Sequence, residues 1–144
     1  GLLIEPISEQ FGFCKKVRKN SIVEHCCLVS LDNRLEKSNF YVSNLTSRVV
    51  TNAKAEEINQ IETVNNNNLD NLLKKYNIET VDIMSLDVEG YEISVLDGYN
   101  DEKNIIEYLL VETWDFDKFF TYAKNRNWQY ICRWGVSDFL FKLK

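Results

Sequence analysis

The sequence predicts a three-layer α/β domain closed by an antiparallel strand pair, and three observations carry that prediction. Short apolar runs of strand length, over residues 2–4, 22–29, 81–86 and 105–111, alternate with stretches whose apolar residues recur every three or four positions. At 144 residues, with 44% hydrophobic and 27% charged side chains, the chain is long enough to bury one core, so a single domain over 1–144 is expected. The third observation is chemical: Asp87, Glu89, Gly90 and Glu92 gather where the run at 81–86 gives way to a helical pattern.

Each element has a local reason. Leu2, Leu3 and Ile4 form a strand that Glu5 and Pro6 end, because a proline cannot donate to a ladder and pushes the residue before it away from helix. A helix follows over 9–18, with Phe11, Cys14 and Val17 on one stripe. Asn20 and Ser21 break it, and 22–29 reads as a second strand ending at Ser30, with His25 at the start of its Cys26-Cys27-Leu28-Val29 half. Residues 31–68 are polar and weakly periodic, which predicts a surface excursion containing a hairpin with strands at 40–42 and 48–50. The run Asn65 to Asn68 reads as loop.

Leu69, Leu72, Leu73 and Tyr76 are at helical spacing. The run 81–86 reads as a buried strand, and Tyr91, Ile93, Val95 and Leu96 resume a helix that Asp97-Gly98 stops. Residues 105–111 form the next strand, ending at Glu112-Thr113-Trp114. Phe116, Phe119, Phe120 and Ala123 make another helical stripe, and 128–132 and 139–141 flank Gly135 as an antiparallel hairpin.

Composition excludes several classes of function. A net charge of -5 argues against a duplex-binding face, since phosphate contacts need clustered Lys and Arg, and the one dense basic run, Lys15 to Lys19, reads as a solvated helix face. No nucleic-acid partner is expected. No apolar stretch approaches the roughly 20 residues that span a bilayer, and the N-terminus lacks the order of a secretory signal, so no membrane partner is expected either. Cys14, Cys26, Cys27 and Cys132 show no C-x-x-C spacing and read as small apolar residues of a reduced, cytoplasmic chain. With a single histidine, His25, a histidine ligand or base is not expected, and no metal site is assigned, although Asp87, Glu89 and Glu112 could together hold a divalent cation through oxygen ligands.

Ligands of open α/β sheets bind outside the carboxyl ends of the strands, which makes Asp87 and Glu89 candidates by position. Glu89 and Glu92 have a plainer reading, as acids favouring the positive end of a helix.

Several pieces together resemble the FkbM-type methyltransferases. They are Ile4-Glu5-Pro6, Leu69-Asp70-Asn71-Leu72-Leu73, Leu86-Asp87-Val88-Glu89-Gly90-Tyr91-Glu92 with Val95-Leu96-Asp97-Gly98 behind it, Val111-Glu112, and Ser137-Asp138-Phe139-Leu140-Phe141. The resemblance implies a Rossmann-like methyltransferase sheet and S-adenosylmethionine as cofactor. In family members another strand and a glycine-rich Asp-x-Gly-x-x-x-Gly loop precede the Glu-Pro strand, and this chain holds no such motif. The sheet is therefore expected to be truncated at its N-terminal side, leaving unpaired edges that would pair with each other or with a second copy.

The resemblance also assigns roles. Glu5, followed by Pro6, would accept both ribose hydroxyls of the cofactor, as a carboxylate can. Val29 and Ser30 would lie on its adenine side. Asp87, Glu89 and Glu112 would converge on the acceptor, Asp87 also facing the cofactor, and a carboxylate among like charges makes a better base for a hydroxyl proton. Trp114-Asp115 would form part of the acceptor wall, although its aromatic neighbours also suit a core. The implied reaction is O-methylation of a small-molecule or carbohydrate hydroxyl. Two alternatives stand beside it: a binding or assembly module of the same fold that has lost the cofactor loop, and a sugar-nucleotide enzyme in which Glu5 holds another ribose.

Overall fold

The structure is a computed structural model, and it describes residues 1–42, 48–49, 61–100 and 105–144. Val50, the last residue of the expected hairpin, lies outside them. The chain is a mixed α/β protein that divides into two compact units, Gly1–Asn68 and Leu69–Lys144.

In the first unit, strand β1 (Leu2–Ile4) leads through Glu5-Pro6 into helix α1 (Ser8–Val17), and β2 (Ile22–Glu24) returns parallel to β1. The expected single strand over 22–29 is two: β2 pairs with β1, and after His25-Cys26 the chain changes partner, so that β3 (Cys27–Leu28) runs parallel to β6 (Ile61–Asn67). His25 marks the break because its ring is turned aside, its Nε2 donating to the Pro6 carbonyl at 3.0 Å while Phe11 stacks on it at 4.8 Å. Strand β4 (Lys37–Tyr41) pairs antiparallel with both β5 (Arg48–Val49) and β6, which bears out the hairpin.

Two expectations fail here. The asparagine run is not loop: Asn65, Asn66 and Asn67 are the last residues of β6, opposite Lys37, Cys27 and Leu28. Backbone pairing on both sides of the strand outweighs their poor intrinsic preference, and the Asn66 side-chain amide adds a bond to the Leu35 carbonyl. Nor is 31–68 only a surface excursion, since Phe40 and Val64 join Ile7, Cys27 and Val29 in the core of this unit. The α1 stripe stays shallow, with Phe11 and Cys14 half-buried and Val17 exposed, because its neighbour β2 is only three residues long.

The second unit begins with helix α2 (Leu69–Lys75) and builds a four-stranded sheet in the order β7-β8-β10-β9. Strands β7 (Thr80–Leu86) and β8 (Ile105–Glu112) are parallel, joined through the short helix α3 (Glu92–Leu96). Helix α4 (Phe116–Asn125) then leads to the antiparallel pair β9 (Trp128–Arg133) and β10 (Asp138–Leu143), as the sequence predicts. Leu72, Val95, Ile106, Leu109, Val111, Phe119 and Phe141 are the largest fully buried side chains described in this unit.

Strand β7 departs from its expected burial. It has one neighbour, β8, and its Ile83 is 60% exposed, so the apolar run belongs to a sheet edge among the described residues. Cys132, expected inside, is also exposed, because β9 is the opposite edge and only its Trp128 is buried. Cys26 and Cys27 are buried as expected, and all four cysteines are free thiols.

Candidate active site

The carboxyl end of β7 and β8 is where the sequence places its acids, and the register explains how they meet. Leu86 pairs with Val111, so the next residues along, Asp87 and Glu112, leave two parallel strands side by side. On the other side of β8, Glu112 pairs directly with Asp138 of β10. Residues opposite one another on adjacent strands share a face, so three carboxylates stand in a row across three strands. Asp138 was not among the expected site residues. Its signal was present in Ser137-Asp138 opening the last strand, but only the antiparallel register puts it beside Glu112.

The turn after β7 brings two more acids. Glu89 and Gly90 both have positive φ, +52° and +96°, inside a tight turn closed by the Tyr91 N–H donating to the Val88 carbonyl. The glycine takes that conformation freely, whereas Glu89 bears strain of about 1 kcal/mol. Glu89 therefore sits ahead of α3 and not in its first turn. Glu92 is the helix-side acid, buried, with Oε1 accepting from the Gly90 N–H at 2.7 Å. It ties the turn to α3, in keeping with its plainer reading.

The electrostatics follow from this crowding. Asp87 is held above its ordinary carboxylate range, first by partial desolvation and then by Glu112, Glu89, Glu92 and Asp138. No hydrogen bond from a described residue reaches it. Glu112 differs in having a donor: the buried Ser137 hydroxyl donates to its Oε1 at 3.0 Å, while the Thr113 N–H donates to the Ser137 carbonyl. Gly135, at φ +114°, lets the hairpin close over Asp138, whose Oδ2 is 2.9 Å from where a Cβ would stand.

The remaining expected residues lie in the first unit. Glu5 is half-buried just past β1, and Oε1 accepts from the Ile7 N–H at 2.8 Å across Pro6. Its carboxyl is pushed up by burial and by Glu62, against the Ile7 bond and His25, which pull it down. The Pro6 carbonyl accepts from His25. Val29 is part of the unit's core, and the half-buried Ser30 donates to Asp32 Oδ1 at 2.5 Å. Structure thus gathers Asp87, Glu89 and Glu112 into one edge, places Glu5 and Pro6 beside His25, and sends Val29 inward.

A Ser8, His25, Glu62 cluster, not anticipated from sequence, has the composition of a nucleophilic triad but not its geometry. Both Ser8 Oγ, at 3.3 Å, and Glu62, at 3.6 Å, approach the same ring nitrogen, Nε2, which already donates to Pro6. A base needs that nitrogen free and its partner acid on the other one. Glu62 instead caps α1, accepting from the Ser8 N–H at 3.0 Å and from the Ser8 hydroxyl where Ile7 offers no side-chain cap. Among the described residues no group of three His, Cys, Asp or Glu side chains is arranged to hold a metal ion.

No curated protein and no solved structure matches the chain. The family model described as the methyltransferase FkbM domain matches residues 2–135, and on that extent the chain belongs to the FkbM methyltransferase family.

Proposed function

We propose that the chain serves S-adenosylmethionine-dependent transfer of a methyl group to a hydroxyl of a small-molecule or carbohydrate acceptor, within a Rossmann-like arrangement of its strands. The observation that supports it is the row Asp87, Glu112, Asp138 across three adjacent strands, with Asp87 raised and without a donor among the described residues. A carboxylate so placed is more basic than one in water.

Glu5 fits the cofactor's ribose. One of its oxygens takes the Ile7 N–H while the other has no donor among the described residues, and a half-buried carboxylate in that state is completed by a hydroxyl. Pro6 holds the turn that aims it, and Ser30 is the adenine-side candidate. When bound, S-adenosylmethionine supplies a methyl group on a positively charged sulfur. The chain's own part would be to orient the acceptor and take its hydroxyl proton on Asp87, while the Ser137 hydroxyl holds Glu112 in place beside it. Glu112, Glu89 and Asp138 surround Asp87 with like charge, which raises its affinity for the proton it takes.

We also read the single-neighbour strands β1 and β7 as edges that associate with a further strand, from a second copy or from an added segment. No helix among the described residues is long and apolar enough to cross a membrane, and the four free thiols suit a reducing cytoplasm.

The test is calorimetry with S-adenosylhomocysteine. Residues 1–144 alone should bind it weakly, because they hold no Asp-x-Gly-x-x-x-Gly loop whose N–H groups would take the cofactor's carboxylate. The same residues supplied with an upstream strand and loop of that type should bind with one-to-one stoichiometry. Tight binding by the monomeric 144 residues would contradict the expected need for that loop, and no binding by either form would favour a non-catalytic module.

A further inference from the structure

Beside the carboxylate row lies a cavity of about 540 Å³, formed by the turn between β8 and α4 and by the β9–β10 hairpin. We propose that this cavity is the acceptor subsite, and that it takes a hydroxylated ring carrying an anionic substituent such as a carboxylate. The inference rests on the methyltransferase reading for the word acceptor, but the binding it describes does not.

Three features of the cavity define the ligand. Its volume lies in the range of small-molecule sites, about 300–1,000 Å³. Its walls are rings: Phe116 packs on Phe139 at 4.4 Å and edge-on to Tyr130 at 5.5 Å, while Trp114 stands 73% exposed at the rim. Mutually packed rings present a fixed apolar surface to a ring-shaped ligand. A flexible apolar chain would gain nothing from the remaining polar groups.

Those polar groups divide by charge. Ser137 lines the cavity and donates to Glu112, which puts the acidic row beside it. Arg133 also lines it. Its guanidinium is held by the Val136 carbonyl and lies over the Phe139 ring at 5.5 Å, and no described carboxylate pairs with it. In a chain of net charge -5, an arginine without an acidic partner among the described residues complements an anion. Arg133 and Ser137 line the same cavity, so a ligand whose carboxylate meets Arg133 can also offer a hydroxyl to Ser137 and, through it, lie beside Glu112. Neutral rings would lose the first contact, and cationic rings would be repelled by it.

Matched probes test this without cofactor or turnover. Methyl glucuronide and methyl glucoside form one pair, and 4-hydroxybenzoate and 4-hydroxybenzyl alcohol another, each titrated into the 144-residue chain with tryptophan fluorescence and amide NMR shifts as readouts. In at least one pair the acid should bind tenfold or more tighter than its neutral partner, with shifts centred on Trp114, Arg133 and Ser137. Arg133→Met should abolish the preference, Arg133→Lys should restore part of it, and Trp114→Ala should weaken acid and neutral probe alike. Both side chains are exposed, so these variants keep the fold, which circular dichroism would check. Equal or absent binding of acid and neutral member in both pairs, or a preference that survives Arg133→Met, would overturn the proposal. The S-adenosylhomocysteine titration separately decides the methyltransferase reading, so the two can fail independently.

Discussion

The two units each place acids at or next to the ends of strands, and they treat them in opposite ways. In the first, Glu62 receives the Ser8 N–H and hydroxyl, and Glu5 receives the Ile7 N–H, so the carboxylates bind their own backbone and fasten the start of α1. In the second, Asp87 has like charges around it and no donor among the described residues, whereas its neighbours Glu112 and Glu92 are anchored. Residue type is the same in both places. What differs is the supply of hydrogen-bond donors, and that separates an acid that builds structure from one left to act on a ligand.

The sharpest way to break the comparison is to neutralise one acid of each kind in the second unit. In a form with measurable turnover, Asp87→Asn should lower methyl transfer by about 10²–10⁴-fold, the usual worth of a positioned base, without unfolding the domain. Glu92→Gln keeps an oxygen for the Gly90 N–H and should leave turnover within a few fold while shifting stability slightly. Equal losses in the two variants would erase the distinction between acting and anchoring acids.

Glu5 tests the other side, because one of its oxygens is structural and one is offered to ligand. In a form that binds cofactor, Glu5→Ala should weaken binding by roughly 2–4 kcal/mol, as for loss of a charged hydrogen-bond partner. An unchanged dissociation constant by calorimetry would reduce Glu5 to a turn residue like Glu62.

Smaller effects probe the hairpin that aligns Asp138. Gly135→Ala forces a side chain to φ +114° and against the Asp138 carboxylate, and should destabilise by about 1–3 kcal/mol in urea denaturation. No loss would mean that the hairpin relaxes freely and that the third carboxylate is not fixed in the row.

The smallest effect is on stability against pH. Because the native state raises the Asp87 pKa, it binds that proton more tightly than the unfolded chain does. The stability this contributes is complete below the unfolded value, about 3.9, and is lost as pH rises through the native one. Asp87→Asn fixes the neutral form, so at pH 7 it should stabilise by at most about 0.5 kcal/mol, the exposed position limiting the gain, and the gain should vanish in acid. Thermal melts at pH 7 and pH 3.5 measure it. Destabilisation at pH 7 would show that the ionised carboxylate has a favourable partner.

Local chemistry determined a good part of this protein. Pro6 ended the first strand, the Leu69-Leu72-Leu73 stripe made α2, Gly135 closed the last hairpin, and the apolar runs ended at Asp87 and Glu112 as read from the residues. These are effects of neighbours within a few positions. Strand partnership is not, because a ladder is chosen by residues far apart in the chain and by what remains unpaired once the core is filled. Only the tertiary structure therefore split 22–29 between β1 and β6, drew Asn65 to Asn67 into a strand, and left Ile83 on an edge. The same cause governs the site: the acids of β7 and β8 were legible as strand ends, whereas Asp138 joined them through a register that pairs residues 26 positions apart, Glu112 with Asp138.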